Sequence, residues 1–347
     1  MAHDRAPRVA GAWAGGSPGA EGGTEDPALS TIPSSPYSAP WWLPGGHLQT
    51  IAAVLQRPPR PAYRRERWET PDGDFIDVDY AGDPATPLLV LFHGLEGSSD
   101  SHYARAIAAA ATRAGRLFAL PHFRGCSGEP NLLPRAYHSG DSEELDWILR
   151  RMAQQHGPLD AIGVSLGGNA LLKWLGERGA DAGRIVTRAA AVSAPFELAS
   201  AGAVLDRGVN RLVYTRNFLA TMKSKAHAKL ARHPGLFDRE RLRAVRTLRA
   251  FDDLVTAPLH GFKDVDDYWR RASSAPWIGH IRVPTLVLNA RNDPFLPASS
   301  LERVVKSAGD VVLEFPRTGG HAGFLAGPFP GRHEWLPQRI LNFLSGR

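Results

Sequence analysis

The chain has 347 residues, of which 43% are hydrophobic and 22% are charged, and its formal net charge is +6. This length and composition fit a globular protein with a substantial core, either one large α/β domain with an insertion or two smaller domains. The arginines are spread along the chain without a basic stripe or a nucleic-acid motif, so the charge indicates a solvated surface and no nucleic-acid partner. Peripheral contact with anionic lipid headgroups stays open.

Cys126 is the only cysteine, which excludes an intrachain disulfide and a cage of thiolate metal ligands. The sequence has no HExxH pair, Walker loop or EF-hand pattern, so we expect neither a metal nor another cofactor. No stretch approaches roughly 18 uncharged apolar residues, and the N-terminus has no basic segment followed by an apolar one. We therefore expect a cytoplasmic protein without an integral membrane segment, and its oligomeric state is left open.

The first 36 residues are rich in Gly, Ala, Pro and Ser and show no hydrophobic period. Such a segment cannot bury enough apolar surface to offset the entropy of ordering. Residues 1–36 are therefore predicted to be a disordered leader, and residues 37–347 a folded α/β domain. Order should begin near Pro40–Ile51, where two tryptophans demand burial, and His47 is interpreted there as a structural or rim residue.

Two runs of alternating polarity, Tyr63–Glu69 and Phe75–Tyr80, flank a Pro-Asp-Gly turn signal and predict an antiparallel hairpin. After the hairpin, apolar runs alternate with helical patterns, which indicates right-handed crossovers and parallel strands. Further strands are expected at 87–92, 116–121, 189–193, 285–289 and 311–315, and helices at 101–114, 141–155 and 335–344. The predicted class is α/β, with a mainly parallel central sheet, antiparallel N-terminal strands and helices on both faces.

The segment from about 196 to 276 breaks this alternation, because it is helical, strongly charged and offers no convincing strand. Its helical patterns cover 212–230, 239–251 and 264–272. A helical insertion between two strands is interpreted as a lid over the carboxyl ends of the sheet. Asp264, Asp266 and Asp267 in the last pattern are interpreted as a solvated helix face.

The sequence Gly163-Val164-Ser165-Leu166-Gly167 joins an apolar run to a helix-like run, the order of a strand, a very tight turn and a helix. Glycine two residues before and after Ser165 leaves room for the bend, which exposes the serine Oγ above the sheet. A dinucleotide-binding GxGxxG turn is the competing interpretation. Ser165 occupies the place of its middle glycine, however, and no acidic residue follows at the expected distance.

A serine nucleophile needs a neighbouring base, which is itself oriented by a third group. In this architecture the acid follows a later strand and the histidine follows the last strand. Asp293 comes directly after the strand at 285–289, and His321 comes after the strand at 311–315. The order Ser165, Asp293, His321 therefore predicts a catalytic triad. Four other histidines lack this placement, namely His102, His122, His138 and His260.

An oxyanion hole requires two backbone N–H groups aimed at the developing negative oxygen. One is assigned to Leu166, which directly follows the nucleophile. The other is assigned to Leu95 in the glycine turn His93–Gly97, where Gly94 lets the backbone turn towards the substrate. His93 is expected to support this loop.

Seven segments occur in the order GGHLQT, FHGLEGSSDSHYAR, HFRGCSGEPN, GVSLGGNALLKWLG, FDDLVTAPLHGFKDVDDYW, LNARNDPF and GGHAGF. Together, over about residues 40–345, they resemble the YheT-like branch of the α/β-hydrolases, which is related to eukaryotic ABHD-type hydrolases and yeast medium-chain ester synthases. The resemblance implies an α/β-hydrolase fold, Ser165, Asp293 and His321 as the triad, and FDDLVTAPLHGF as a feature of the lid. Eukaryotic relatives carry a membrane anchor where a polar leader is predicted here, so the resemblance implies acyl-ester chemistry more firmly than a membrane phospholipid substrate.

The chain is therefore predicted to be a serine esterase that cleaves carboxylic esters of short to medium acyl length through an acyl-enzyme intermediate. Its expected partner is a small-molecule or lipid acyl ester. An acyltransferase that passes the acyl group to an alcohol uses the same triad and stays open. A non-catalytic binding protein is a further interpretation, which the intact triad disfavours.

Overall fold

The computed structural model describes residues 36–307 and 311–346, so all but the last residue of the predicted leader lies outside the described residues. Eight strands form a single sheet: β1 (Arg64–Glu69), β2 (Phe75–Ala81), β3 (Leu88–Phe92), β4 (Leu117–Pro121), β5 (Leu159–Val164), β6 (Val186–Val192), β7 (Thr285–Leu288) and β8 (Val311–Glu314). Their order across the sheet is β1-β2-β4-β3-β5-β6-β7-β8. β2 pairs antiparallel with β1 and β4, and the remaining pairs are parallel. The predicted fold class is confirmed.

Ten α-helices of six residues or more surround the sheet in the described ranges. They are α1 (Gly46–Leu55), α2 (His102–Arg113), α3 (Ser142–His156), α4 (Leu166–Arg178), α5 (Leu198–Leu205), α6 (Arg216–Arg232), α7 (Arg239–Ala244), α8 (Val265–Ala272), α9 (Ala298–Ser307) and α10 (Trp335–Leu344). None of the helices described is both long enough and apolar enough to cross a bilayer.

The central strands are covered by helices on both faces, which explains their continuous apolar sequences. All five residues of β3 are buried. On one face, Ile107 of α2 and Ile340 of α10 belong to the same buried cluster as Leu91 and Ile162. α3 and α4 pack against β5 from the other face. This layering places the carboxyl ends of β3, β5, β6 and β7 along one edge of the sheet.

β2 is buried on both faces, and its second face carries carboxylates. Asp77 and Asp79 lie opposite Arg67 and Arg65 of β1 in the strand register. Nε of Arg67 lies 2.8 Å from Asp77 Oδ1, and Nε of Arg65 lies 2.7 Å from Asp79 Oδ1. Burial alone raises the pKa of both carboxyl groups, but hydrogen bonds led by these arginines hold both below the ordinary value. Pairing thus keeps two buried carboxylates ionised.

Between β6 and β7 the chain contains α5 to α8 and contributes no strand to the sheet. We call residues 196–276 of this stretch the insertion. Its longest helix, α6, is preceded by a π-helical turn at Arg211–Thr215, and a second π-helical turn covers Asp252–Thr256. The buried apolar residues of the insertion form two clusters, and the larger one also includes Phe295 and Leu296 from the loop after β7. The insertion therefore packs on the carboxyl edge of the sheet.

Helices α1 and α9 are not among the predicted elements. The α1 sequence, GHLQTIAAVL, contains no Lys, Arg, Asp or Glu, so it offers no charged face against which an apolar stripe stands out. In α9 the buried Leu301 and Val304 are spaced as on one helix face, but only over a single turn.

Candidate active site

The turn between β5 and α4 holds Ser165 in a conformation that side chains rarely adopt, with φ 53° and ψ −119°. A Cβ at Gly163 would collide with the backbone of Gly167 and Gly168. One at Gly167 would collide with the carbonyl oxygen of Phe92 on the neighbouring strand. The two glycines are therefore required for the bend, and backbone strain at Ser165 is typical of a functional position.

The structure brings Ser165, His321 and Asp293 together. Nε2 of His321 lies 2.9 Å from Oγ of Ser165, and its Nδ1 lies 2.8 Å from Oδ2 of Asp293. The other carboxylate oxygen of Asp293 accepts a hydrogen bond of 2.8 Å from the amide of Phe295. Asp293 is buried, whereas Ser165 is partly exposed to the pocket described below. The arrangement is that of a nucleophile, a base and an orienting carboxylate.

Helix α1 holds the loops that carry the acid and the base. Thr50 Oγ1 accepts the amide of His321 at 2.9 Å. Gln49 Oε1 accepts both the amide of Gly319, at 2.8 Å, and the side-chain amide of Asn292, at 2.9 Å. These contacts account for the GGHLQT segment near the start of the described residues. Only the histidine of this segment was predicted to have a role, because nothing local in α1 indicates which distant loops the helix contacts.

A series of ring contacts connects α1 and the insertion to His321. The ring of Phe295 stacks on His321 with centroids 4.1 Å apart, and Tyr214 contacts Phe295 edge-on at 4.6 Å. His47 stacks on Tyr214, and its Nδ1 lies 3.1 Å from the tyrosine hydroxyl. His47 is thus a neighbour of the site rather than part of the hydrogen-bond chain.

Leu95 and Leu166, whose amides are assigned to an oxyanion hole, line the same pocket as Ser165 and His321. Neither amide donates to an acceptor elsewhere in the described part of the chain. Tyr103 of α2 fixes the loop that carries Leu95, because the amide of Gly94 donates to the Tyr103 hydroxyl at 2.8 Å. Two free amides beside a serine Oγ can stabilise a developing oxyanion.

His93 supports this loop from within the core. It is fully buried, its Nε2 accepts the amide of Phe123 at 3.0 Å, and its Nδ1 lies 2.8 Å from the carbonyl oxygen of Gly94. Burial lowers the pKa of His93 to about 3, so the ring is neutral with its proton on Nδ1. A neutral ring matches one acceptor and one donor contact.

Glu96 connects the loop that carries Leu95 to the insertion, and it was not among the predicted site residues. Its φ is 56°, and its amide donates to the Tyr137 hydroxyl at 2.9 Å. The Tyr137 hydroxyl in turn donates to Glu96 Oε1 at 2.7 Å. Nζ of Lys225 on α6 donates to the same oxygen at 2.9 Å and lies 3.4 Å from the buried Sγ of Cys126. Burial raises the pKa of the Cys126 thiol to about 11, which keeps it protonated.

A cavity of about 550 Å³ lies between the sheet edge and the insertion, with Ser165 and His321 in its wall. Its apolar lining, which we call the apolar side, comes largely from the insertion and includes Leu198, Ala201, Leu205, Phe218, Met222, Phe251 and Val255. Its polar lining, which we call the polar side, includes Arg124, Asn131, Lys225, Lys229 and Arg232. The amphipathic cavity suits a ligand with an apolar arm and a polar part.

Asp252, from the FDDLVTAPLHGF segment, lies in the wall of the apolar side. It accepts hydrogen bonds from Thr256 Oγ1 at 2.7 Å and from Trp269 Nε1 at 2.9 Å. Burial raises the pKa of Asp252 to about 6. The carboxyl group joins the second π-helical turn to α8, so this family segment holds the insertion together next to the cavity.

Of the four histidines set aside above, His138 lines the cavity, whereas the other three do not. His122 Nε2 lies 2.9 Å from Asp79 Oδ2, and His102 Nε2 lies 2.9 Å from the carbonyl oxygen of Ala322. Within the described ranges, no group of three or more His, Cys, Asp or Glu residues is arranged to hold a metal ion. Of the three aspartates predicted to form a solvated helix face, Asp264 caps α8, and Asp266 and Asp267 pair with surface arginines.

Comparison with known proteins places these features in context. The model of the α/β-hydrolase fold family matches residues 87–328. YheT of Escherichia coli, which carries the name of an esterase, is 40% identical over 308 residues, covering 86% of this chain and 90% of that protein. Human phospholipase ABHD3 is 25% identical, covering 89% and 78% of the two chains. A yeast monoacylglycerol lipase is 29% identical, covering 81% and 63%.

Solved structures agree on the fold. A bacterial membrane phospholipase A superposes with a TM-score of 0.53 at 18% identity, covering 86% of this chain and 89% of that one. An esterase of Pyrococcus furiosus superposes with a TM-score of 0.52 at 16% identity, covering 91% and 98%. At such low identity these likenesses concern the fold alone.

Proposed function

Because the chain belongs to the α/β-hydrolase family, in its YheT-like branch, we propose that it hydrolyses carboxylic esters with Ser165 as the nucleophile. The observation that carries this proposal is the continuous hydrogen-bond chain from Asp293 through His321 to Ser165 in the wall of an amphipathic cavity. The names of its relatives are esterase, phospholipase and monoacylglycerol lipase, and all three denote ester hydrolases.

In the proposed reaction, Oγ of Ser165 attacks the ester carbonyl carbon while its proton passes to Nε2 of His321. The amides of Leu95 and Leu166 donate to the resulting oxyanion. Collapse of this intermediate breaks the bond to the alcohol oxygen, which receives the proton from Nε2. Water then attacks the acyl-enzyme by the same steps and releases the carboxylic acid. Asp293 holds the imidazole in the required tautomer and stabilises its cation.

The acyl chain is proposed to occupy the apolar side of the cavity, and the alcohol part the polar side. A cavity of about 550 Å³ suits short to medium acyl chains, and the insertion acts as the lid that bounds it. Hydrolysis of p-nitrophenyl esters from two to sixteen carbons tests the proposal. Product analysis in ethanol-containing buffer distinguishes water from an alcohol as acceptor. No turnover together with no labelling by a fluorophosphonate would overturn it.

Filling the apolar side should shorten the preferred acyl chain. Ala201 on α5 is buried and lines the cavity, whereas Ala203, two residues along the same helix, is exposed. We expect Ala201→Leu to lower kcat/KM for long esters by roughly tenfold relative to short ones, because an added side chain takes up space that the acyl chain needs. Ala203→Leu is the matched control. An unchanged chain-length profile in Ala201→Leu would place the acyl chain elsewhere.

The Glu96–Lys225 pair should affect the chemical step rather than substrate binding. Glu96 directly follows Leu95, so its contacts with Tyr137 and Lys225 position the oxyanion amide. We expect Lys225→Met and Glu96→Gln each to lower kcat by roughly tenfold, with a smaller effect on KM, since one misplaced oxyanion donor weakens transition-state stabilisation.

The kcat of the double variant Glu96→Gln/Lys225→Met should be no lower than that of the poorer single variant, because both changes break the same contact. Lys263→Met, at an exposed lysine of the insertion, is the matched control. Additive losses in the double variant, or a rise in KM with unchanged kcat, would contradict the positioning role.

A further inference from the structure

A second groove, of about 920 Å³, lies along α6 and is lined by Arg211, Arg216, Lys223, His227 and Arg246 together with small and aliphatic residues. Its lining contains no Asp or Glu. The catalytic cavity is lined by other residues of α6, such as Phe218, Met222 and Lys225. One helix thus separates the cavity from a groove whose charged side chains are all basic.

The positive charge of this groove is not neutralised within the described part of the chain, because none of Arg211, Arg216, Lys223 and Arg246 forms a salt bridge there. Nζ of Lys223 donates to the backbone carbonyl oxygens of residues 243 and 245, at 2.8 and 3.2 Å. Arg246 donates to the same two carbonyl oxygens, at 2.6 and 2.9 Å. Asp206 interacts electrostatically with Arg211, but its two carboxylate oxygens accept hydrogen bonds from the amides of residues 248 and 249.

Aliphatic side chains stand exposed at one end of the groove. Val209, Leu212 and Val213 are 57%, 71% and 42% exposed, and Leu212 is itself part of the groove lining. Tyr214, the next residue, contacts Phe295, which stacks on His321. An anionic lipid surface complements this face, because lipid phosphates attract cations that lack a salt bridge and the acyl region accepts exposed aliphatic side chains. The face also lies close to the proposed site for acyl esters.

We propose that this face docks the insertion onto an anionic bilayer, with the groove cations against lipid phosphates and the aliphatic residues 209, 212 and 213 at the acyl boundary. Docking here would present the insertion, and the cavity behind α6, to the surface that holds acyl esters. The docking stands independently of the proposed function, because it requires no turnover.

Vesicle co-sedimentation of the full chain in a Ser165→Ala background tests the docking. We expect at least roughly tenfold tighter binding to phosphatidylcholine vesicles with 30% phosphatidylglycerol, a content chosen for the assay, than to phosphatidylcholine alone, with loss at high salt. The variant Arg211→Gln/Arg216→Gln/Arg246→Gln should lose that difference. Arg113→Gln/Arg150→Gln/Arg184→Gln removes the same charge from exposed arginines elsewhere and should keep it.

Aliphatic contact is tested by Leu212→Ser, which should weaken vesicle binding severalfold, whereas Leu132→Ser at another exposed leucine should not. Equal losses in the two triple variants would overturn the proposal. So would saturable binding of inorganic phosphate without vesicle binding, which would indicate a small anionic ligand. A change of sedimentation coefficient in Leu212→Ser, again without vesicle binding, would show that the face joins copies of this chain.

Discussion

Replacing Ser165 by alanine is expected to lower kcat/KM for p-nitrophenyl esters by about 10⁵-fold or more, because the proposed nucleophile, base and orienting carboxylate would act as a unit. Alanine keeps the Cβ that the strained turn already accommodates and removes only the Oγ that lies 2.9 Å from His321. The fold and the thermal unfolding temperature should therefore be preserved. Residual hydrolysis should come from the oxyanion amides and substrate binding alone.

Initial rates and fluorophosphonate labelling, measured side by side, check this expectation. Wild-type protein should carry a single covalent label on the peptide that contains Ser165, and the variant should carry none. Ser200→Ala is the matched control, since Ser200 lies on α5 outside the cavity wall, donates to Glu197, and should leave both readouts unchanged when it is replaced. Labelling at another serine, or a variant with wild-type rates, would show that Ser165 is not the nucleophile.

The members of the hydrogen-bond chain were predictable from sequence because each one is marked locally. Glycines surround Ser165, and Asp293 and His321 each directly follow an apolar strand in the order that this architecture uses. Strand topology then brings the three loops to one edge of the sheet. Their geometry agrees with the predicted triad, while their catalytic roles stay predictions until the variants are measured.

The supporting residues were not predictable, because their contacts cross long stretches of chain. Gln49 and Thr50 bond loops about 270 residues later. Lys225 meets Glu96 from 129 residues away, on a helix whose polar pattern fits any solvated surface. Nothing local in such residues distinguishes a charge that positions an active-site loop from one that faces water.

Replacing Asp293 by asparagine is expected to lower kcat/KM by about 10⁴-fold while the protein stays folded. Oδ1 of Asp293 accepts the amide of Phe295, and Oδ2 faces Nδ1 of His321. An asparagine that keeps its oxygen on the Phe295 amide turns its NH₂ group towards Nδ1. The imidazole then accepts there and carries its proton on Nε2, so it cannot take the proton of Ser165.

The measurements must distinguish a loss of His321 orientation from a loss of folded structure. The downfield proton resonance of His321 Nδ1–H should disappear in Asp293→Asn, and the rate of fluorophosphonate labelling should fall in parallel with kcat/KM, with an unchanged unfolding temperature. Asp238→Asn is the matched control, because that exposed carboxylate also accepts a backbone amide, at the start of α7. A loss smaller than tenfold would mean that another group orients His321. A normal resonance with a large loss would move the role of Asp293 from selecting the tautomer to stabilising the imidazolium.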